Sequence, residues 1–286
     1  MRYRADPPAI ELPETFYAQH WEREPLLLRA ADPNCFRSVF TSAVFEELIE
    51  YGALRSGFVT VVDKGRPVAH ELLCREEEVG GLVHDDLVAP EIVASYRQGG
   101  ATVILAGIHL LHRSVADLVR RLEADVGREA EAHAFHTPPR ASGLALHFDG
   151  EDNFLFQLEG TKHWTLAPPL SDRLPVSGGH PGAGHVLDQD RLIHVELCPG
   201  DLLYIPRGWL HASSTTDQAS LHVTIQVLPH TVRDAISDRV RQILEASVAD
   251  DQVVPGRGAS ATAFADQVRA TARALEEWAD ELSSGH

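Results

Sequence analysis

The 286-residue sequence is poor in cysteine, methionine and basic charge: three Cys, one Met, and 25 Lys plus Arg against 42 Asp plus Glu. Cys35, Cys74 and Cys198 lie far apart and make no CxxC pair. Neither a disulfide framework nor a cysteine-based zinc site is written into the chain, and a reducing compartment is expected. The formal net charge of −17 argues against general affinity for nucleic-acid phosphate, so no direct nucleic-acid partner is expected. No apolar run is long enough to span a bilayer, and the opening MRYRADPPAIELPETF lacks the apolar centre of a signal peptide. A cytoplasmic protein with no membrane partner is the expectation. No repeat period appears either, which excludes solenoids and propellers.

What is present reads as a globular chain: 44% hydrophobic and 23% charged residues allow a sizeable core. In PETFYAQHWEREPLLLRAADP (13–33) a helix start precedes a short strand, Leu26–Leu28, with Pro25 marking the change. Val44, Phe45, Leu48 and Ile49 recur at helical spacing, and Gly52 is the expected terminator. Residues 57–68 read as a hairpin around a Lys-Gly turn. The stretch 74–100 is expected to be helical near its end, with Arg75-Glu76-Glu77-Glu78 as a solvated helix start. ATVILAGIHLL (101–111) reads as a buried strand. Residues 114–127 form a strong amphipathic helix, capped by Ser114, with Val115, Leu118, Val119 and Leu122 as its apolar stripe and Gly127 as its end.

EAHAFHTPP (131–139) returns to β, and from 143 to 228 the chain is strand and turn. LIHVELCPGDLLYIP gives two strands around a Pro-Gly turn, and LHVTIQVLP alternates cleanly. Short strands at this spacing predict a sandwich or barrel. Two amphipathic helices follow, 231–250 and 261–282, joined by the linker VVPGRGAS. Val232, Ile236, Val240, Ile243 and Leu244 share a stripe of the first, from which a homodimer is expected.

The chemistry concentrates in GLALHFDGEDNFLFQLEGTKHWTLAPP (143–169) and PGDLLYIPRGWLHAS (199–213). Read as a strand, His147-Phe148-Asp149 turns His147 and Asp149 to one face, with Phe148 away. His211 follows after a β excursion long enough to return to a neighbouring strand. Two imidazoles and one carboxylate on one face of a metal leave other coordination positions open, which suits Fe(II) binding a co-substrate and dioxygen. A structural zinc site would close with a fourth protein ligand, and no cysteine sits suitably. Lys162, just past Gly160, is either a solvated hairpin lysine or a cation reaching an anion inside the fold. On the strand at 221–228, His222, Thr224 and Gln226 share a face that looks either into a site or to solvent. Asp152 and Gln157 read first as groups satisfying the fold, Arg207 and Trp209 as loop supports, and His180, His185 and His194 as exposed histidines.

HFDGEDNFLFQLEGTKHW, PGDLLYIPRGWLH and SLHVTI, in that order, resemble the JmjC-type cupins of the ribosomal-oxygenase branch. FYAQHWEREPLLLRAADP and GATVILAGIHLL resemble that branch's N-terminal part, so the likeness covers roughly residues 13 to 230. It implies a mainly β fold with flanking helices, a double-stranded β-helix (jelly-roll) core. It implies an N-terminal α/β elaboration at 1–130, the JmjC core at 131–230 and a C-terminal helical region at 231–286. The implied activity is Fe(II)- and 2-oxoglutarate-dependent hydroxylation with dioxygen. By the resemblance His147, Asp149 and His211 hold the iron, with no catalytic residue beyond them. Lys162 pairs with the distal carboxylate of 2-oxoglutarate, and Thr224 supplies a hydroxyl to it. Phe135 stands where some members have a co-substrate-touching Tyr, and His133 lies near a polar position that can compensate. Members of the branch carry a helical dimerisation region and then a winged-helix-like domain. The residues after Pro229 suffice for two or three helices, which leaves a protein or peptide side chain and a free small molecule both open as substrate. A non-catalytic cupin binding module is the third reading.

Overall fold

The computed structural model describes residues 10–51, 53–182, 186–247 and 262–284. The chain divides into two compact units, one ending at Pro229 and one starting at His230. In the first, α1 (Phe16–Gln19), β1 (Leu26–Leu28) and α2 (Ser42–Tyr51) lead to β2 (Val59–Asp63) and β3 (Arg66–Pro67). Next come β4 (Cys74–Val79), β5 (Leu82–Val88), α3 (Pro90–Gln98), β6 (Thr102–Leu105), α4 (Ile108–Leu111) and α5 (Arg113–Val126). The β-rich half holds β7 (Ala130–Thr137), β8 (Asp152–Glu159), β9 (Lys162–Ala167), β10 (Ile193–Leu197), β11 (Leu202–Ile205), β12 (Leu210–Ser214) and β13 (Ser220–Val227). The second unit contains α6 (Val232–Ser247) and α7 (Thr262–Ser284).

The strands form an eight-stranded sheet, β1-β11-β8-β13-β7-β6-β2-β3, and a three-stranded sheet, β10-β9-β12, with a separate β4–β5 hairpin. The sheets stay open rather than closing into a barrel. Side-chain alternation explains how the large sheet is buried on both faces. On β8, Phe154, Phe156 and Leu158 join one core cluster while Leu155 joins another. On β11, Leu202 and Tyr204 take the first side and Leu203 and Ile205 the second. The first cluster gathers Phe16, Phe36, Phe40 and Phe45 with Val115, Leu118 and Leu122 of α5. The second is completed by Trp164, Leu166, Val195 and Leu197 of the small sheet. One face of the large sheet therefore meets the helices and the other meets the small sheet. The Pro199-Gly200 turn carries the chain from β10 in one sheet to β11 in the other.

Several local expectations change. The Arg75-Glu76-Glu77-Glu78 run is on β4, not a helix: Gly80 and Gly81 both have positive φ, 62° and 80°. That two-residue turn pairs Val79 with Leu82 and folds the charged run into a hairpin. The buried strand expected over 101–111 stops at Leu105, because Gly107 at φ 62° turns the chain into α4. Helix α5 begins one residue before Ser114, with His112 at the cap position and no side-chain cap bond. Its end is as expected, Gly127 adopting φ 65° with its N–H on Glu123 O. The Lys64-Gly65 turn forms as read, with φ 49° and 79°. Gly52 and the VVPGRGAS linker lie outside the described residues.

Candidate metal centre and adjoining cavity

His147-Phe148-Asp149 is not a regular strand. It sits in the connection between β7 and β8 and is tied down by isolated bridges, His147 to His211 and Phe148 to Gly179. His147 N–H donates to His211 O at 3.2 Å, and His211 N–H donates to His147 O at 2.7 Å. This reciprocal pair brings together residues far apart in sequence, and the two imidazole centroids lie 4.2 Å apart. Gly208 N–H donates to Asp149 O at 2.8 Å, fixing the loop before β12 against the same segment. That loop is anchored further out: Trp209 Nε1 donates to Arg23 O at 2.9 Å, and Arg207 meets Glu22 at 2.8 Å. Asp152 accepts from the Tyr204 hydroxyl and from Arg207 N–H. Arg207, Trp209 and Asp152 are thus supports of the site.

One ligand atom from each of His147, Asp149 and His211 falls within 4.8 Å of the others, the only such His/Cys/Asp/Glu group among the described residues. The rings are oriented for coordination. His147 Nδ1 lies 2.8 Å from Ala145 O and His211 Nδ1 lies 3.0 Å from Trp209 O. A carbonyl accepts only, so each Nδ1 carries the proton and each Nε2 is left for the centre of the site. Those Nε2 atoms lie 3.7 Å from Asp149 Oδ1 and 3.4 Å from Oδ2 respectively. Asp149 is held in turn by Asn153 Nδ2 at 2.8 Å, and Asn153 Oδ1 accepts from Gln226 Nε2 at 2.9 Å.

The electrostatics fit a cation. Burial, with His211 next, pushes His147 down to about 4, so it is a neutral donor at physiological pH. Burial opposes ionisation of Asp149, yet His211, His147 and Asn153 hold its carboxyl down to about 2. His211 is desolvated, but the Asp149 carboxylate outweighs burial and raises its pKa. The point between the three side chains favours positive charge, and a metal ion can supply it.

A cavity of about 290 Å³ adjoins the triad, lined among others by Leu155, Trp164, Ile205, Thr102 and Gln226. Lys162 lies in it, 1% exposed. The solvated-hairpin reading of Lys162 is therefore excluded. β9 turns Lys162, Trp164 and Leu166 inward. The ammonium reaches Thr137 Oγ1 at 3.0 Å and His222 Nδ1 at 3.4 Å, and lies 5.5 and 5.9 Å from the Trp164 and Phe135 ring centres. Among the described residues no carboxylate pairs with it, and burial lowers its pKa to about 7. A buried cation so placed calls for an anion.

His222, Thr224 and Gln226 of β13 all line the cavity, while Leu221, Val223, Ile225 and Val227 enter the core. A solvent face on β13 is thereby excluded. Phe135 lines the cavity and stacks on His222, centroids 4.7 Å apart. His133 also lines it, but its Nε2 is drawn to Glu131 Oε1 at 3.3 Å. His180 sits near the triad, its ring 6.2 Å from that of His147. His194 is exposed beside Thr165, and His185 is outside the described residues. Gln157 is engaged elsewhere, donating to Glu159 O, Gly160 O and Ser220 Oγ. Asn153, Thr137 and Trp164 escape a reading of the residues alone. Only the i, i+4 spacing of Asp149 and Asn153 hinted at the first.

Residues 111–235 match the JmjC domain family. Ribosomal oxygenase 1 of Gallus gallus is 31% identical over 242 residues, covering 82% of this chain and 38% of that protein. The bifunctional lysine-specific demethylase and histidyl-hydroxylase NO66 of Aedes aegypti is 27% identical over 219 residues, 75% of this chain and 33% of that one. The chain thus spans well under half the length of these relatives. Among solved structures, the Escherichia coli ribosomal oxygenase YcfD in complex with cobalt and 2-oxoglutarate superposes with a TM-score of 0.52 at 19% identity, covering 91% of this chain and 65% of that one. Another YcfD structure gives 0.56 at 19% identity, covering 94% and 69%. With its two-sheet core and its His-Asp-His cluster, the chain carries a JmjC domain of the cupin type found in the ribosomal oxygenases.

Proposed function

We propose that the protein is an Fe(II)- and 2-oxoglutarate-dependent oxygenase that hydroxylates a side chain of a protein or peptide. The observation that carries the reading is Lys162: a fully buried ammonium that meets no carboxylate among the described residues, in the cavity that also holds the His147–Asp149–His211 cluster. The similarity to ribosomal oxygenase 1 and to the histidyl-hydroxylase NO66 supports a polypeptide substrate. The net charge of −17 suits a basic one.

His147, Asp149 and His211 would hold the metal through Nε2, a carboxylate oxygen and Nε2, leaving the remaining positions to co-substrate and dioxygen. Bound there, iron with 2-oxoglutarate supplies the oxidising chemistry that the side chains lack. Asn153, backed by Gln226, keeps the Asp149 carboxylate from rotating. Lys162 neutralises the far carboxylate of 2-oxoglutarate, with the Thr224 hydroxyl at the cavity wall beside it. Leu155, Trp164 and Ile205 keep water from the reacting centre. A cytoplasmic setting belongs to the same proposal and is supported by three free cysteines. So does a homodimer through α6 and α7, supported by Val232, Ile236, Phe264, Val268 and Leu282, all exposed.

Calorimetric titration of 2-oxoglutarate without oxygen tests the reading. Binding to Mn(II)-loaded protein, lost in His147→Ala and in Lys162→Met, is expected. Undiminished binding by either variant, or none by the wild type, contradicts it.

A further inference from the structure

The surroundings of Lys162 point to a second co-substrate contact. An ammonium has three N–H donors. Thr137 Oγ1 takes one at 3.0 Å and His222 Nδ1 a second at 3.4 Å. Burial, reinforced by the Lys162 charge, keeps His222 well below its usual pKa, so the ring is neutral and holds one proton. With Nδ1 accepting from Lys162, that proton sits on Nε2. His222 Nε2 is buried and has no hydrogen-bond partner. A buried donor without an acceptor costs free energy that a bound acceptor recovers.

The ring is also held still. Phe135 stacks on it at an interplanar angle of 10°, and Trp164 meets it nearly edge-on, at 83° and 5.5 Å between centroids. Phe135 has no polar atom, so it fixes the imidazole plane without competing for the proton. The third Lys162 N–H and His222 Nε2–H are donors on touching side chains of one cavity wall, Nζ and Nδ1 being 3.4 Å apart; Trp164 Nε1 is a further buried donor without a partner there. A carboxylate presents two oxygens. His133, the other histidine of this wall, has its Nε2 3.3 Å from Glu131 Oε1, in ion-pair range but without a hydrogen bond.

We propose that His222 is a co-substrate-binding residue whose Nε2–H donates to one oxygen of the distal carboxylate of 2-oxoglutarate while Lys162 donates to the other. The assignment rests on the oxygenase reading and adds to it the group that, with Lys162, selects a 2-oxo acid ending in a carboxylate.

The test is calorimetric titration of Mn(II), and then of 2-oxoglutarate into the Mn(II)-loaded full chain, without oxygen. His222→Leu is expected to weaken 2-oxoglutarate by about tenfold or more, the cost of losing a hydrogen bond to a charged group. Mn(II) affinity stays unchanged. His222→Gln, which restores a donor, is expected to recover most of the loss, a rescue that a purely structural role would not give. Unchanged 2-oxoglutarate affinity in the Leu variant, or a folded Gln variant as weak as Leu, overturns the assignment alone. A wild type that binds Mn(II) but not 2-oxoglutarate overturns the oxygenase reading beneath it. Should both variants fail to fold, NMR of isotope-labelled histidine in the Zn(II)-loaded wild type decides. An imidazole N–H resonance appearing or shifting with 2-oxoglutarate supports the assignment, and no change overturns it.

Discussion

Burying Lys162 costs free energy whenever it is charged and unpaired, and this gives the protein a definite pH signature. Its pKa in the fold is about 7, against roughly 10.4 for a lysine in an unfolded chain. Between those values the unfolded chain binds more protons, so stability rises with pH, by up to about 1.4 kcal/mol per pH unit. Below pH 7 both states are charged and the full penalty is present. Urea unfolding at pH 7 and pH 9 is expected to show this gain in the wild type and its loss in Lys162→Met; equal slopes refute it. Co-substrate binding has the opposite sense, because a carboxylate needs the ammonium. Affinity for 2-oxoglutarate should fall as pH rises above about 7, and a flat profile counts against Lys162 as its partner. Asn153 gives a further prediction. Removing its bond to Asp149 with Asn153→Ala is expected to weaken metal binding by about tenfold or more, as loss of an orienting partner does. A metal titration at parental affinity refutes that role. The grouping of His147, Asp149 and His211 was expected from the resemblance, the i, i+2 pair alone being a weak signal, and the structure brings the three side chains together. The burial of Lys162 was not legible in the sequence, since Gly160-Thr161-Lys162 looks like any hairpin. Nor was the Lys162–His222 contact, which depends on the register of strands 60 residues apart.

At the scale of elements, the turns decide where these side chains go. Gly160 joins β8 to β9 at φ 64°, and a Cβ there would lie 1.8 Å from Ala219 O. Gly160→Ala is expected to destabilise the fold by roughly 2–4 kcal/mol through backbone strain and steric overlap. With Lys162 two residues on, 2-oxoglutarate affinity should fall as well. Denaturant melts at parental stability would show that the turn tolerates the change. Periodicity read α2, α5 and β13 well, because each has one apolar face and a core to meet, while β8 carries apolar residues toward both core clusters. It misread β4, where Arg75 to Glu78 carry no apolar pattern and the Gly80-Gly81 turn alone sets the structure. It also misread the state of His147 to Asp149. Alternation placed both side chains on one side, but isolated bridges to His211 and Gly179, rather than a strand, hold them there.

For the whole molecule, two faces of one large sheet share the work. One builds the core with the helices, and the other, with the three-stranded sheet, encloses the cavity and metal cluster. Fold class followed from strand spacing and the resemblance, whereas the opening into two sheets depended on long-range pairing. If the exposed apolar residues of α6 and α7 cover a second copy, light scattering at micromolar concentration gives twice the chain mass of 31.4 kDa; the single mass dismisses the dimer. The central claim is catalysis by this cavity. Its most direct measurement is intact-mass analysis of basic candidate peptides incubated with the full chain, Fe(II), 2-oxoglutarate and oxygen, with succinate quantified in parallel. The account predicts one added oxygen per succinate released, abolished in Asp149→Ala. Unchanged turnover in that variant, or no succinate and no oxygen gain with any peptide from metal-loaded wild type, contradicts it.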